Sequence, residues 1–281
     1  MIRRLSVVGL GLLGGSAAKA ARARGLAREI VAVGRRPDRL ARAVADGTVD
    51  RAAADLAEGV EGADLVLFSV PVVTLETLLA ETWQFAPEDA VLTDVGSTKA
   101  AIVHTAERLG RSRPLAFVGG HPMAGSEQSG YTASRADLFV SATVILTPTE
   151  ETDQAAIKRV GEFWEAVGGR VVTLDPDVHD RVVAAVSHLP HLLADALVDA
   201  VTRFEPSALE FAGWGFKDTT RIAASDPRLW REIFLSNRAA LAETVTAFRA
   251  ALDRLEQLIK AQDSSGLEQA LARIQGIRRR L

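Results

Sequence analysis

Three glycines near the N-terminus constrain this chain more than any other feature. Leu5-Ser6-Val7-Val8 reads as a short buried strand, and Gly9-Leu10-Gly11-Leu12-Leu13-Gly14 follows it directly, opening an Ala-rich helix that ends near Gly25. A G-x-G-x-x-G spacing alone is weak, because glycines cluster by chance. Between a strand and a helix it acquires a mechanism. Gly9 permits the tight turn, Gly11 lets the backbone approach a pyrophosphate, and Gly14 lets helix pack closely on strand. The free amides at the helix start then hold the anion.

The pattern continues downstream. Strands are expected at 30–33, 64–70 (closed by Pro71), 90–95, 115–118, 143–146 and 170–174, and helices at 39–45, 75–79, 99–109 and 152–167. Continuous apolar strands alternating with amphipathic helices predict an open, mostly parallel sheet covered on both faces. The fold class is therefore α/β, a Rossmann-type dinucleotide-binding domain over 1–175. From Pro176 onward only long helical patterns remain, so an all-α domain is expected over 176–281, with the boundary near Asp175-Pro176. In such sheets ligands lie beyond the carboxyl ends of the strands. That places Gly9 to Gly14, with Leu10, Gly11, Leu12 and Leu13, on the cofactor side, together with the strand ends Ser69, Val70, Pro71 and Asp94.

Composition excludes several classes. At 281 residues, with 48% hydrophobic and 25% charged residues, the chain has material for two soluble domains. A net charge of −3 gives no electrostatic case for nucleic-acid binding. There is no cysteine, which removes disulfides and thiolate metal sites. The apolar run after Arg3-Arg4 could be taken for a secretory signal, but ordered glycines break it and Arg22 and Arg24 follow. No other segment approaches the roughly 18 uninterrupted apolar residues of a membrane helix. A cytoplasmic protein with no membrane partner is expected.

The segment after the second strand bears on the cofactor. An NAD site usually carries an acid there for the ribose hydroxyls. This chain has Gly34-Arg35-Arg36-Pro37, with no acid before Asp38. Two guanidinium groups and no carboxylate suit a 2′-phosphate, so NADP is favoured, with NAD the alternative. Solvated loop arginines would look the same in sequence.

The stretch GGHPMAGSEQSG, 119–130, spends one of five histidines among small residues. Pro122 biases His121 away from helix, so a constrained loop beyond a strand end is expected to carry the imidazole. A lone histidine is ordinarily a bland core or surface residue. Presentation near a nicotinamide site points instead to chemistry.

Five ordered motifs give the chain a resemblance to the prephenate/arogenate (cyclohexadienyl) dehydrogenase family of tyrosine biosynthesis. They are VVGLGLLGGS, DVGSTK (94–99), GGHPMAGSEQSG with LF and ILTPT downstream, VSHLPH (186–191) and GFKDTTRIAASDPRLW (215–230). The resemblance spans essentially the whole chain. It implies oxidative decarboxylation of prephenate to 4-hydroxyphenylpyruvate, or of arogenate to tyrosine, with hydride passed to NAD(P). His121 matches the family's catalytic histidine, the acceptor of the 4-hydroxyl proton, a task a neutral imidazole suits. Ser97 matches the serine that orients the same hydroxyl, and could also cap the helix beginning at Lys99.

Further matches would bind the substrate. Arg221 would grip a carboxylate through two parallel hydrogen bonds, and His188 would line the same pocket. His191, three positions on, is expected to be packing. Gly213, Gly215, Asp218 and Trp230 fall in the matching segment, Trp230 at a spacing more typical of core. Glu127 matches a position that gates the pocket. Trp214 departs from the family's run of glycines. The family also implies a homodimer through the helical half, where apolar spacing over 235–258 exceeds one packing face.

Two other readings compete. A β-hydroxyacid or imine-type dehydrogenase shares the outline but needs a lysine or aspartate at the catalytic position and leaves HPMAGSE unexplained. A non-catalytic NADP sensor would have no use for Ser97, His121, His188 and Arg221 together.

Overall fold

The structure is a computed structural model that describes every residue except Glu127 and Leu281. The gating position expected at Glu127 thus lies outside the described residues. Eight strands form one sheet in the order β3-β2-β1-β4-β5-β6-β7-β8. They are β1 (Ile2–Val8), β2 (Ala27–Val33), β3 (Arg51–Ala53), β4 (Leu65–Phe68), β5 (Val91–Asp94), β6 (Ala116–Pro122), β7 (Thr143–Thr147) and β8 (Arg170–Thr173). The first six pair in parallel, β7 runs antiparallel to β6, and β8 is parallel to β7.

Helices cover both faces because the central strands are apolar on both sides. α1 (Leu12–Ala23) and α6 (Gln154–Ala166) pack one face around the fully buried Trp164. α3 (Leu56–Val60), α4 (Val72–Phe85) and α5 (Ala100–Gly110) pack the other around Trp83. α2 (Pro37–Ala45) borders the first sheet edge. The short β3 and α3 are too brief to carry a periodic signal and were not expected from the sequence.

Two local expectations need correction. His121 and Pro122 do not sit on a loop: they are the last residues of β6, facing Ile145 and Val144 of β7. The two glycines before them make this pairing possible. A Cβ on Gly119 would lie 2.3 Å from Thr147 Oγ1, and one on Gly120 would lie 2.7 Å from the Asp94 carbonyl oxygen. Small residues here permit close approach inside a sheet, so their low strand propensity misleads. Nor does Ser97 cap α5, since that helix has no cap from its own loop. Its first amides are held by Asp180, from far along the chain.

After β8 the chain is helical among the described residues. α7 (Pro176–Val183) is capped by Asp175, runs through a π-helical turn at Ala184–His188, and continues as α8 (Leu189–Phe204). α9 (Trp214–Thr220), α10 (Pro227–Ser236), α11 (Arg238–Lys260) and α12 (Ser264–Arg278) complete the chain. The 176–204 stretch is long and apolar enough by composition to span a bilayer. It nonetheless carries Asp180 and three buried histidines, His179, His188 and His191, groups that hydrocarbon would not solvate.

Candidate active site

The strand order reverses direction between β1 and β4, so a crevice opens at their carboxyl ends. Gly9 leaves β1 with φ of +97°, and a Cβ there would lie 2.2 Å from the Ser69 carbonyl oxygen. Backbone thus presses on backbone at the switch point. Gly11 differs, because a Cβ on it would meet nothing within 4 Å. Gly11 also begins α1 with no side chain capping the helix amides. An open glycine beside unsatisfied amides is a cradle for a phosphate group. Leu10 is buried, and Leu12 and Leu13 are partly buried. Ser69 and Val70 are half-buried beside the loop, with Pro71 exposed at its rim. Arg35 and Arg36 stand exposed beyond β2 and have no ion-pair partner among the described residues.

Further along the same edge, β5 and β6 end in a buried polar cluster. Asp94, expected on the cofactor side, is fully buried and its carboxylate is taken up by protein donors. It accepts from Gly96 N at 2.7 Å, from Gly120 N at 3.0 Å and from the Lys99 ammonium. Lys99 is also fully buried and donates to the Gly120 carbonyl at 3.0 Å. The pair clamps the residue just before His121, so the Asp94 side chain shapes the site from beneath.

Helix α7 completes the cluster from the other half of the chain. His121 Nδ1 lies 2.9 Å from His179 Nε2, and His179 Nδ1 lies 2.8 Å from Asp180 Oδ1. Asp180 also accepts from Lys99 N at 2.7 Å and Ala100 N at 3.1 Å. Burial opposes its charge, but the hydrogen bonds from His179, Lys99 N and Ala100 N prevail and hold its carboxyl below the usual range. Burial pushes His121 well below the ordinary histidine value, and positive charge on His179, Lys99 or His188 would push the same way. The His121 imidazole is therefore neutral. Among the described residues its Nε2 has no hydrogen-bond partner.

His188 is the last residue of the π-helical turn, a rare distortion that often serves a site. Asn237 Nδ2 donates to the Asp180 carbonyl at 2.7 Å and lies 3.2 Å from His188 Nδ1. With Nδ1 as acceptor, His188 carries its proton on Nε2, an atom that is buried and without a partner. Burial lowers His188 to about 4, so it too is neutral. His191 is buried and stacks on Trp230 at 3.5 Å between ring centroids. Trp230 is half-buried rather than core, and its ring lies nearly perpendicular to that of His188.

The remaining expected residues stand apart in the single chain. Ser97 is half-buried in the loop between β5 and α5. Gly215, Asp218 and Arg221 are exposed on and just after α9, and no hydrogen bond or ion pair ties them to the histidine cluster among the described residues. Their surroundings are strongly apolar and uncovered: Phe204, Phe211 and Trp214 are 92%, 84% and 88% exposed. Three important members, Lys99, His179 and Asp180, were not expected from the sequence. A histidine–aspartate pair one turn after the Asp175-Pro176 helix start was the only local signal for the last two.

Two family profiles match the chain: "Prephenate dehydrogenase, nucleotide-binding domain" over residues 17–173, and "Prephenate dehydrogenase, dimerization domain" over 175–273. Prephenate dehydrogenase of Bacillus subtilis is 34% identical, the match covering 93% of this chain and 71% of that protein. The structure of prephenate dehydrogenase from A. aeolicus, in complex with hydroxyphenyl propionate and NAD+, superposes with a TM-score of 0.94 at 37% identity, covering 100% of this chain and 98% of the other. Synechocystis arogenate dehydrogenase superposes with a TM-score of 0.86 at 32% identity, over 99% of each chain.

Proposed function

The chain belongs to the prephenate dehydrogenase family of NAD(P)-dependent oxidoreductases, and we propose that His121 is the base of its reaction, the oxidative decarboxylation of prephenate to 4-hydroxyphenylpyruvate. The observation that carries this is a neutral, buried imidazole at the carboxyl end of β6, the sheet edge that also carries the glycine loop, with an Nε2 that has no partner among the described residues. A neutral imidazole can accept the 4-hydroxyl proton as that carbon becomes a carbonyl. The ring carboxylate then leaves as CO₂, its bonding electrons completing the aromatic ring and making the former carbonyl a phenolate, which takes the proton back to give the hydroxyl of the product. Bound nicotinamide dinucleotide supplies the acceptor for the hydride lost from the hydroxyl-bearing carbon.

The other residues bind and orient. The glycine loop and the amides of Leu12 and Leu13 fit a pyrophosphate. His188, with its unpartnered Nε2–H, is a neutral donor to a substrate oxygen. Ser97 would orient the 4-hydroxyl, and Arg221, exposed and unpaired among the described residues, would grip a carboxylate. Gly215, Asp218 and Trp230 would shape the wall around it.

Arg35 and Arg36, with no acid before Asp38, favour NADP over NAD. A two-by-two assay, prephenate or arogenate with NAD or NADP, tests substrate and cofactor together. Turnover of prephenate with a preference for NADP is expected. Arg35→Asp should weaken NADP use by about 10-fold or more, the size of one lost charge-assisted contact of roughly 1.5–3 kcal/mol, and leave NAD use intact. Unchanged preference in that variant would remove the phosphate-binding role. Arogenate is the second reading, and faster turnover of arogenate than prephenate would select it.

The helical half is proposed to form a homodimer. Leu235, Leu252, Ile259, Leu271, Ile274 and Ile277 are exposed on α10, α11 and α12, more apolar surface than a lone helical layer normally leaves uncovered. Sedimentation at micromolar concentration should give twice the 30.0 kDa chain mass. A single-chain mass would refute the dimer.

A further inference from the structure

His121 is one end of a three-residue chain whose far end is a charge. Asp180 is an ionised carboxylate and can only accept, so the nitrogen 2.8 Å from it, His179 Nδ1, must carry a proton. In a neutral His179 the other nitrogen, Nε2, is then a bare acceptor. His121 Nδ1, 2.9 Å away, must donate to it, which leaves the lone pair of His121 on Nε2. Both rings are buried, so water does not compete for these bonds. The two rings meet edge-on, with centroids 5.1 Å apart at 66°, which directs nitrogen to nitrogen rather than face to face.

We propose that His179 and Asp180 are positioning residues forming a relay behind His121, on the footing that His121 is the base of the reaction above. The relay does two things. It fixes the tautomer of His121 that can accept a proton at Nε2, the requirement a base in this place cannot relax. It also offers the new charge a better site. When a proton bonds to His121 Nε2, the bond from His121 Nδ1 to its own proton breaks as that proton passes to His179 Nε2. His121 returns to neutral, and His179 becomes the imidazolium beside the Asp180 carboxylate. No atom is left over and no further reactant is needed. The direction follows from the surroundings. The Lys99 ammonium disfavours a cation on His121, whereas the carboxylate that would favour one touches His179. Since α7 lies after the glycine-loop domain, the base in one half of the chain is set by two residues of the other.

The test uses ¹⁵N-histidine-labelled protein, which holds five histidines. Ring signals that vanish in His121→Asn identify His121. In the free wild-type protein, His121 should show a protonated Nδ1 and a bare Nε2. His179→Phe keeps the ring volume and leaves Asp180 on the amides of Lys99 and Ala100. It should bring in the Nε2-protonated form of His121 and lower kcat roughly 10- to 100-fold, the size usual for residues that orient a reacting group from behind, with KM and dinucleotide affinity unchanged. A wild-type His121 protonated on Nε2 would overturn the relay outright, and so would a folded His179→Phe enzyme with full kcat. If that variant fails to fold, the wild-type spectrum decides alone. The spectrum also reads the tautomer in a protein that turns over neither prephenate nor arogenate, so the relay and the assigned reaction fail separately.

Discussion

Replacing His121 with asparagine should lower kcat by about 100- to 10,000-fold, the range general-base catalysis supplies. Cofactor binding should be untouched, because the glycine loop and the amides at the start of α1 lie at β1 and β4 rather than β6. Equilibrium titration with dinucleotide beside steady-state kinetics separates the two effects, and turnover close to wild type would remove His121 from the chemistry. The pH profile adds a sign. Burial holds His121 well below the ordinary histidine value, so the neutral base persists as pH falls through 6.5. The acid limb of kcat should therefore lie below 6.5. Stability runs in a related direction. An unfolded chain protonates its histidines near 6.5, while His121 and His188, the latter lowered to about 4, do not follow until the pH is much lower. The unfolded state then binds more protons, so stability is full above 6.5 and declines as pH falls from there toward 4.

Lys99→Met should be the most damaging single change to the fold near the site. Lys99 and Asp94 are fully buried, and the ammonium has no route to water. Removing one member of such a pair leaves the other as an uncompensated buried charge, a cost of about 3–5 kcal/mol. Asp94 would also lose a donor while still holding Gly96 N and Gly120 N. Chemical denaturation should show the loss as a lower midpoint. The end of β6 should loosen with it, because Lys99 also holds the Gly120 carbonyl. A midpoint within about 0.5 kcal/mol of wild type, the scatter of ordinary surface substitutions, would mean the pair contributes nothing.

Much of the first half of the chain was legible because its signals are local. Apolar strands at 30–33, 90–95 and 143–146, and the glycines after β1, need only their neighbours to be read. Legibility failed where a distant partner sets the conformation. Gly119 and Gly120 look like loop residues until Thr147 and Asp94 are seen to press on them. The start of α5 looks like a place for Ser97, but Asp180 satisfies those amides from 80 residues away. His179 was invisible for the same reason, since its two partners, Asp180 and His121, lie on different halves of the chain's function and only one is adjacent in sequence.

The sequence by itself determined the doubly covered sheet, the glycine loop and the motif that carries His121, because periodicity, glycine spacing and motif order are properties of the chain alone. Tertiary structure decided that His121 sits at a strand end, that Asp94 holds the Gly120 amide just before it, and that its Nδ1 meets a histidine bonded to an aspartate, both from α7. The physical reason is hydrogen bonding in a dry interior. Most buried polar atoms find a partner wherever the fold brings one, and a distant partner leaves no mark in the local sequence.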